Sequence, residues 1–421
     1  MKEYKDALPY YKDRIEGIGT EIVAKFESNY RFASNESFSS SNDARYLRDN
    51  PDVYSFTYDP GKNELTVDYA SKVNSFDASI FNGFASRIRN LTLPSEINTF
   101  GPAAFSGMSS LETIDSPYSP DQKGIVDETH TLVAVVPTVT DYHVPSSGRV
   151  AYAVGKEVFK ELYGLTHVSL HSGVTSIGEY AFSKSGLTGT VDLSCVTELG
   201  EGAFSLCQSL KKVIFNNDLR EFSKNVFSGC FSLESVTCSG IAGVEKIDDD
   251  AFSTCPSLKT LSGAILAVKP FYIGENAFRY CGSLTTIDLQ YASHIGRGAF
   301  EACRNLSDIR GFSEELTRIE DRTFSGTALT EIDLPILVTF IGQRAFFDCR
   351  NLRQVNLSLN VSTVGDEAFA ECSNLLTCTF APWLNVLDLG RAAFKNCRSM
   401  TSIDFPPHIK KLSEEVFCDC I

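Results

Sequence analysis

Cysteine is the residue whose number and spacing first suggest chemistry in this chain. Of 421 residues 13 are cysteines, and nine of them, at positions 207, 230, 255, 281, 303, 349, 372, 397 and 420, follow one another at near-regular spacing. A zinc site needs ligands that converge locally, as in Cys-x2-Cys. Only Cys418 and Cys420 stand so close. An odd total and a regular ladder also argue against a disulfide framework. The spacing points instead to one slot used over and over, filled by a thiol that behaves as a small apolar group. No metal and no cofactor is expected.

Other reactive types are scattered. The six histidines are residues 130, 143, 167, 171, 294 and 408. His167 and His171 would share one face of a strand, but four residues of strand separate them by roughly 13 Å, too far to share an ion. No Gly-rich phosphate loop, nucleophile elbow or His-Glu-x-x-His stretch occurs. Asp and Ser are abundant, yet nothing pairs them for acid–base work. No catalytic residue is nominated, and the expectation is a protein that is not an enzyme. Five Asn-x-Ser/Thr sequons, at Asn35, Asn90, Asn305, Asn356 and Asn360, matter only on export from a eukaryotic cell.

The elements that must position these residues declare themselves by self-similarity. Phenylalanine recurs at 159, 182, 204, 227, 252, 278, 300, 324, 346, 369, 394 and 417, with gaps of 22 to 26 residues, and Phe105 and more weakly Phe81 extend the series backwards. Five residues before most of these stands Ile, Leu or Val, such as Ile177, Ile247, Ile341 and Val364. Six after stands Leu or Met, such as Leu210, Leu284, Leu352 and Met400. The unit reads Ile-Gly-x-x-Ala-Phe-x-x-Cys-x-x-Leu-x-x-Ile-x-Leu. Two copies, around Phe182 and Phe324, lack the Cys and have Leu one residue early (Leu187, Leu329), as if a residue were deleted from the turn that Cys occupies.

The Leu-x-x-Ile-x-Leu part alternates like a half-buried strand. The Ala-Phe part predicts a single helical turn, because acidic residues precede it (Glu179, Glu201, Asp249, Glu275, Asp366), where a helix N-terminus favours negative charge. One such unit cannot bury its apolar side, and only stacked copies form a continuous core. The predicted fold class is therefore an α/β repeat: a right-handed leucine-rich-repeat solenoid with one short parallel strand and a short helical turn per roughly 23-residue repeat.

Units such as Ile177-Gly-Glu-Tyr-Ala-Phe182 and Ala299-Phe300-Glu-Ala-Cys-Arg-Asn-Leu306 resemble the BspA-like class of leucine-rich repeats. The long interval from Phe105 to Phe159, with Lys123–Pro137 followed by Tyr142–Pro145, resembles the hairpin insertion members of that family carry in one enlarged repeat, here 106–159. The resemblance covers residues 62–421. It implies a surface-type, adhesin-like protein of host-associated bacteria or of trichomonad and amoebal protists, and it speaks to fold more than to function.

Residues 1–61 do not fit the repeat and are expected to cap it. Ile15, Ile18 and Ile22 fall at helical spacing and predict an amphipathic helix over 12–27. A Ser/Asn-rich stretch from Ala33 to Ala44 reads as a loop. Val53–Tyr58 and Glu64–Tyr69 read as strands around the turn residues Asp59-Pro60-Gly61-Lys62-Asn63.

Charge narrows the partner. Acidic residues outnumber basic ones 53 to 38, a net charge of −15, which disfavours nucleic acid and anionic membranes. No apolar run approaches the roughly 18 residues of a membrane span. The stripe flanking the strand Ile/Val should face outward, and within it Asp288, Asp308, Arg310, Glu331, Asp333, Gln354 and Asn356 are the candidate partner-binding residues. Their carboxylates suit a basic protein partner. The opening residues have no apolar h-region and so do not read as a signal peptide. The chain stops partway through a repeat, at Phe417-Cys-Asp-Cys-Ile421. Two roles follow: an adhesin-like or surface interaction protein, by resemblance, or an intracellular structural or scaffold protein in a cytoskeletal or organelle assembly, by the free thiols and the opening residues.

Overall fold

A computed structural model describes residues 22–27, 55–59, 64–68, 75–76, 86, 88–101, 104–105, 107–238, 243–262, 271–357, 359–380, 388–401, 403, 409 and 411–420. The Ala33–Ala44 stretch, residues 12–21, the turn at 60–63, Phe81, Asn35 and His408 lie outside the described residues. The chain divides into two compact units, Met1–Val174 and Thr175–Ile421.

In the first unit one five-stranded sheet runs in the order Ser55–Asp59, Glu64–Asp68, Ile22–Glu27, Ile88–Thr92, Thr113–Asp115. Only the first pair is antiparallel. Ile22–Glu27 is thus a strand, and the helix expected over 12–27 does not extend across it. Its Ile-Val-Ala-Lys-Phe-Glu sequence opens on β-branched residues, and parallel partners on both edges (Val23 opposite Glu64, Ala24 opposite Leu91) supply its backbone bonds. The enlarged repeat carries an antiparallel hairpin, Gly124–Val126 with Thr131–Val135. Asp141–His143 then runs parallel to His167–Ser169. Tyr142, the middle residue of the first of these strands, is 2% exposed. Its hydroxyl fills the space a side chain at residue 124 would occupy, so that position is glycine. Burial, with the carboxylate of Asp121 beside it, pushes the phenol far above its ordinary range.

The second unit is built of parallel coils. The first ladder comprises Gly189–Leu193, Leu210–Phe215, Ser235–Cys238 and Thr260–Ser262, then Thr286–Leu289 with Asp308–Phe312, then Glu331–Asp333, Gln354–Asn356 and Thr377–Thr379. The described repeats also contribute a second strand, two to four residues long. These pair through the other side, as in Glu221–Phe222, Lys246–Ile247, Phe271–Ile273 and Ala292–Ile295, and again from Arg318–Ile319 to Lys411–Leu412. The apolar residue five before each Phe lies in this second strand, fully buried at Ile247, Ile319 and Ile341.

The Ala-Phe segment is not helical; among the described residues there is no α-helix. Two residues before and two after each repeat Phe the backbone is left-handed: Tyr180 and Lys184 (φ 52° and 58°), Asn276 and Tyr280 (53° and 61°), Arg344 and Asp348 (55° and 59°). The segment is a run of tight turns, closed by Ser183 N–H to Tyr180 O and Ser185 N–H to Phe182 O. Alternate N–H groups point along the stack instead of back to residue i−4. Tyr180, Phe182 and Lys184 donate to the carbonyls of Glu201, Ala203 and Ser205 one repeat on, at 2.7–2.8 Å. A helix would keep those donors within its own turn, whereas a coil with neighbours on both sides satisfies them axially.

The same geometry explains the aspartates before the Phe. Asp249, Asp321 and Asp366 accept the backbone N–H of Glu275, Gln343 and Arg391, their counterparts one repeat later, at 2.7, 2.8 and 2.7 Å. They cap neighbouring coils, not a helix dipole. The adjoining glycine answers to crowding: a Cβ at Gly274 would lie 2.5 Å from the Asp249 nitrogen and one at Gly342 2.5 Å from that of Asp321.

Inside, the repeat phenylalanines form a single stack. From Phe182 through Phe417 each ring lies 5.0–5.6 Å from the next, with interplanar angles of 2° to 16°. Burying each is worth about 1.5–3 kcal/mol, and each ring contact about 0.5–1.5 kcal/mol more.

Candidate functional site

All 13 cysteines are free thiols. The nine ladder cysteines do more than fill space. Each donates its S–H to the carbonyl of the repeat Phe one coil earlier: Cys207 to Phe182 at 3.0 Å, Cys255 to Phe227 at 3.1 Å, Cys303 to Phe278 at 3.0 Å, and so through Cys420 to Phe394 at 2.9 Å. Burial pushes the Cys207 thiol up to about 11 and those of Cys255 and Cys303 up to about 12. Such thiols stay protonated and are not nucleophiles. The slot is not deleted in the two Cys-less repeats. Ser185 and Thr327 occupy it, 3.4 Å from Cys207 Sγ and 3.3 Å from Cys349 Sγ, and the missing residue lies after the slot. Among the described residues no group of three or more His, Cys, Asp and Glu is arranged to hold a metal ion. No helix among them is long and apolar enough to cross a membrane.

The histidines serve the frame. His167 is exposed at the start of its strand, while His171 lies beyond it in a turn, with Nε2 2.7 Å from the Ala151 carbonyl and Nδ1 accepting the Gly173 N–H. His294 stacks on Tyr272 at 4.6 Å and 8°.

The strand face carries the polar residues singled out from the sequence, in two groups. Glu331 stands opposite Gln354 and Thr377, and Asp333 opposite Asn356 and Thr379, on three adjacent parallel strands. Asn356 donates its Nδ2–H to the Asp333 carboxylate, and its own amide oxygen accepts from Thr379 at 2.6 Å and from Gln354 at 3.2 Å. The second group lies on the pair Thr286–Leu289 and Asp308–Phe312. There Asp308 faces Thr286, and Arg310 pairs with Asp308 at 3.6 Å. A bulge after Ile309, with Gly311 at φ 80°, breaks the register, so Asp288 has no in-register partner and accepts from Gln290 instead. Asp308–Phe312 and Glu331–Asp333 belong to separate sheets. Within each group the side chains bond to one another. They suit contact with an extended surface.

One set of exposed residues gave no signal through charge. Ile336, Leu337 and Leu359 are 54%, 48% and 40% exposed, at the corners that follow the strand face. Aligning those corners repeat by repeat would have found them, since the preceding corner is Glu314-Glu315.

The coils, their two strand ladders and their Phe column define a parallel-strand leucine-rich-repeat solenoid. The sequence matches the BspA type leucine rich repeat region, in six copies, over residues 53–124, 139–259 and 271–388, and the chain belongs to that family. No curated protein matches it. Among solved structures, a leucine-rich repeat protein from Bacteroides ovatus ATCC 8483 aligns over 88% of this chain and 91% of its own, at 19% identity and a TM-score of 0.53. A leucine rich cell surface protein from Faecalibacterium prausnitzii A2-165 aligns over 71% and 78%, at 21% identity and a TM-score of 0.41. The pneumococcal vaccine antigen PcpA aligns over 94% and 90%, at 15% identity and a TM-score of 0.38. At such identities the likeness bears on the fold alone.

Proposed function

We propose that this chain is a non-enzymatic protein-binding solenoid of the adhesin-like, surface-interaction kind, with residues 1–61 capping its first coils. The observation that carries this reading is the polar strand face, above all the hydrogen-bonded ladder Asp333–Asn356–Thr379 flanked by Glu331 and Gln354. Long, fixed arrays of this sort give a partner many weak contacts at set spacing. Carboxylates at Asp288, Asp308, Glu331 and Asp333 favour a basic protein. The test is a quantitative pull-down with the intact chain and with Asp288→Lys/Asp308→Lys/Asp333→Lys. Partners that survive the charge reversal undiminished reject this face.

A second reading, an intracellular scaffold in a cytoskeletal or organelle assembly, is favoured by the nine S–H donors, which a reducing compartment preserves. Surface protease shaving against cell fractionation separates the two.

A further inference from the structure

Among the described residues, the corner that links a first-ladder strand to the second ladder is a tight turn. Its closing bond is Val196 N–H to Leu193 O, Leu316 N–H to Ser313 O and Val338 N–H to Pro335 O in three repeats. The two residues at its tip point outward. They are Ser194-Cys195, Asn217-Asp218, Gln290-Tyr291 and Glu314-Glu315 in four repeats, and then Ile336-Leu337 and Leu359-Asn360 in the next two. Among the described corners, the tips turn from polar Glu314-Glu315 to aliphatic at these two neighbours.

These tips form one row. Arg318 pairs in register with Phe340, and Phe340 with Thr363, which places Glu315, Leu337 and Asn360 on successive coils at the same turn position. Asn360 donates its Nδ2–H to the Ile336 carbonyl at 2.7 Å and binds the two apolar corners together. Both glutamates are exposed, neither forms an ion pair among the described residues, and Arg318, three residues after Glu315, is engaged by Glu320 at 2.9 Å. An aliphatic patch therefore continues directly into an uncompensated pair of carboxylates. Clustered large aliphatics on an otherwise polar edge mark a contact site, and the adjoining charge sets the sign of what fits.

Resting on the protein-binding reading above, we infer that Glu314, Glu315, Ile336, Leu337 and Leu359 form a docking row for a protein segment that carries a large apolar side chain beside Lys or Arg. The apolar side chain seats on the aliphatic corners, and the cation reaches the glutamates. The strand face supplies the wider contact, and this row supplies its desolvated anchor.

The experiment selects a random 12-residue peptide phage library on the immobilised chain and measures the enriched peptides by fluorescence anisotropy. Enriched sequences should place an aromatic or aliphatic residue within three positions of Lys or Arg. Ile336→Ser/Leu337→Ser/Leu359→Ser should weaken them at least about tenfold. Glu314→Gln/Glu315→Gln should weaken them several-fold at low salt, and the gap should close as salt rises. All five residues are exposed, so both variants should keep the melting temperature of the parent. Peptides that bind the triple variant as tightly as the parent overturn the inference, and so does enrichment without basic residues. If binding is lost instead in Asp288→Asn/Asp308→Asn/Glu331→Gln/Asp333→Asn, the strand-face reading stands and the row fails. If no variant matters, both fail. A concentration-dependent dimer abolished by the triple variant would assign the row to a second copy of this chain and overturn the partner named here.

Discussion

Raising the pH from 7 to 10 should loosen this protein through its buried thiols. Cys207 is held up at about 11 and Cys255 and Cys303 at about 12, against an ordinary 9.0, chiefly because burial penalises the thiolate. A thiol raised in the folded state contributes its full stability below the unfolded value and loses it as pH climbs from there toward the folded one. At pH 10 the unfolded chain ionises freely while the folded one does not, and each thiol then costs about 1.4 kcal/mol, one pH unit's worth. The three together amount to roughly 4 kcal/mol. The assay is urea unfolding under reducing conditions at both pH values, for the parent and for Cys207→Ser/Cys255→Ser/Cys303→Ser. Serine keeps a hydroxyl donor in the slot, which Ser185 and Thr327 occupy naturally, and it does not titrate in this range. Lysine and tyrosine ionisation is common to both chains and cancels. The parent should lose about 4 kcal/mol more than the variant between the two pH values. Parallel losses would refute the argument that these thiols are buried as neutral donors.

Three further outcomes follow from the packing. Phe300→Ala removes one ring from the middle of the stack and should cost about 3–5 kcal/mol in denaturant unfolding, with a smaller loss for the same change at the terminal ring Phe417. Gly274→Ala drives a Cβ to within 2.5 Å of the Asp249 nitrogen; it should lower stability by about 1–3 kcal/mol, whereas Gly282→Ala, where nothing lies within 4 Å, should cost far less. Ala302→Gly relieves a left-handed residue at φ 60° and should raise stability by about 0.5–1 kcal/mol, as a small upward shift of the unfolding midpoint.

The repeat was legible because burial imposes a period: Phe, Leu and Ile must return to the same column, and 22 to 26 residues is the length of one coil. The turn at Ala-Phe was misread for a physical reason. Acidic residues followed by Ala-Phe look like a helix start, and the left-handed residues that forbid one include Leu206, Tyr280 and Ala302, which carry no mark of it. Gly107, Gly202, Gly229, Gly298 and Gly326 show the need openly. Ile22 sat at helical spacing from Ile15 and Ile18, yet it begins a strand with partners on both edges, which no local pattern encodes. In the face, Glu331 opposite Gln354 and Asp333 opposite Asn356 follow from the repeat length. The bulge at Gly311 that leaves Asp288 out of register does not. The aliphatic corners escaped because attention to charge passes over Ile336 and Leu359.

The direct test of the binding face is site-specific photo-crosslinking in the cell of origin. A photoreactive residue replaces Gln354, exposed on the strand face, in one chain, and Thr363, on the second ladder, in another. Protein adducts should form from position 354 and be absent or much weaker from 363. Adducts from 363 alone, or equal yields from both, would contradict the claim that this solenoid meets its partner through the strand face.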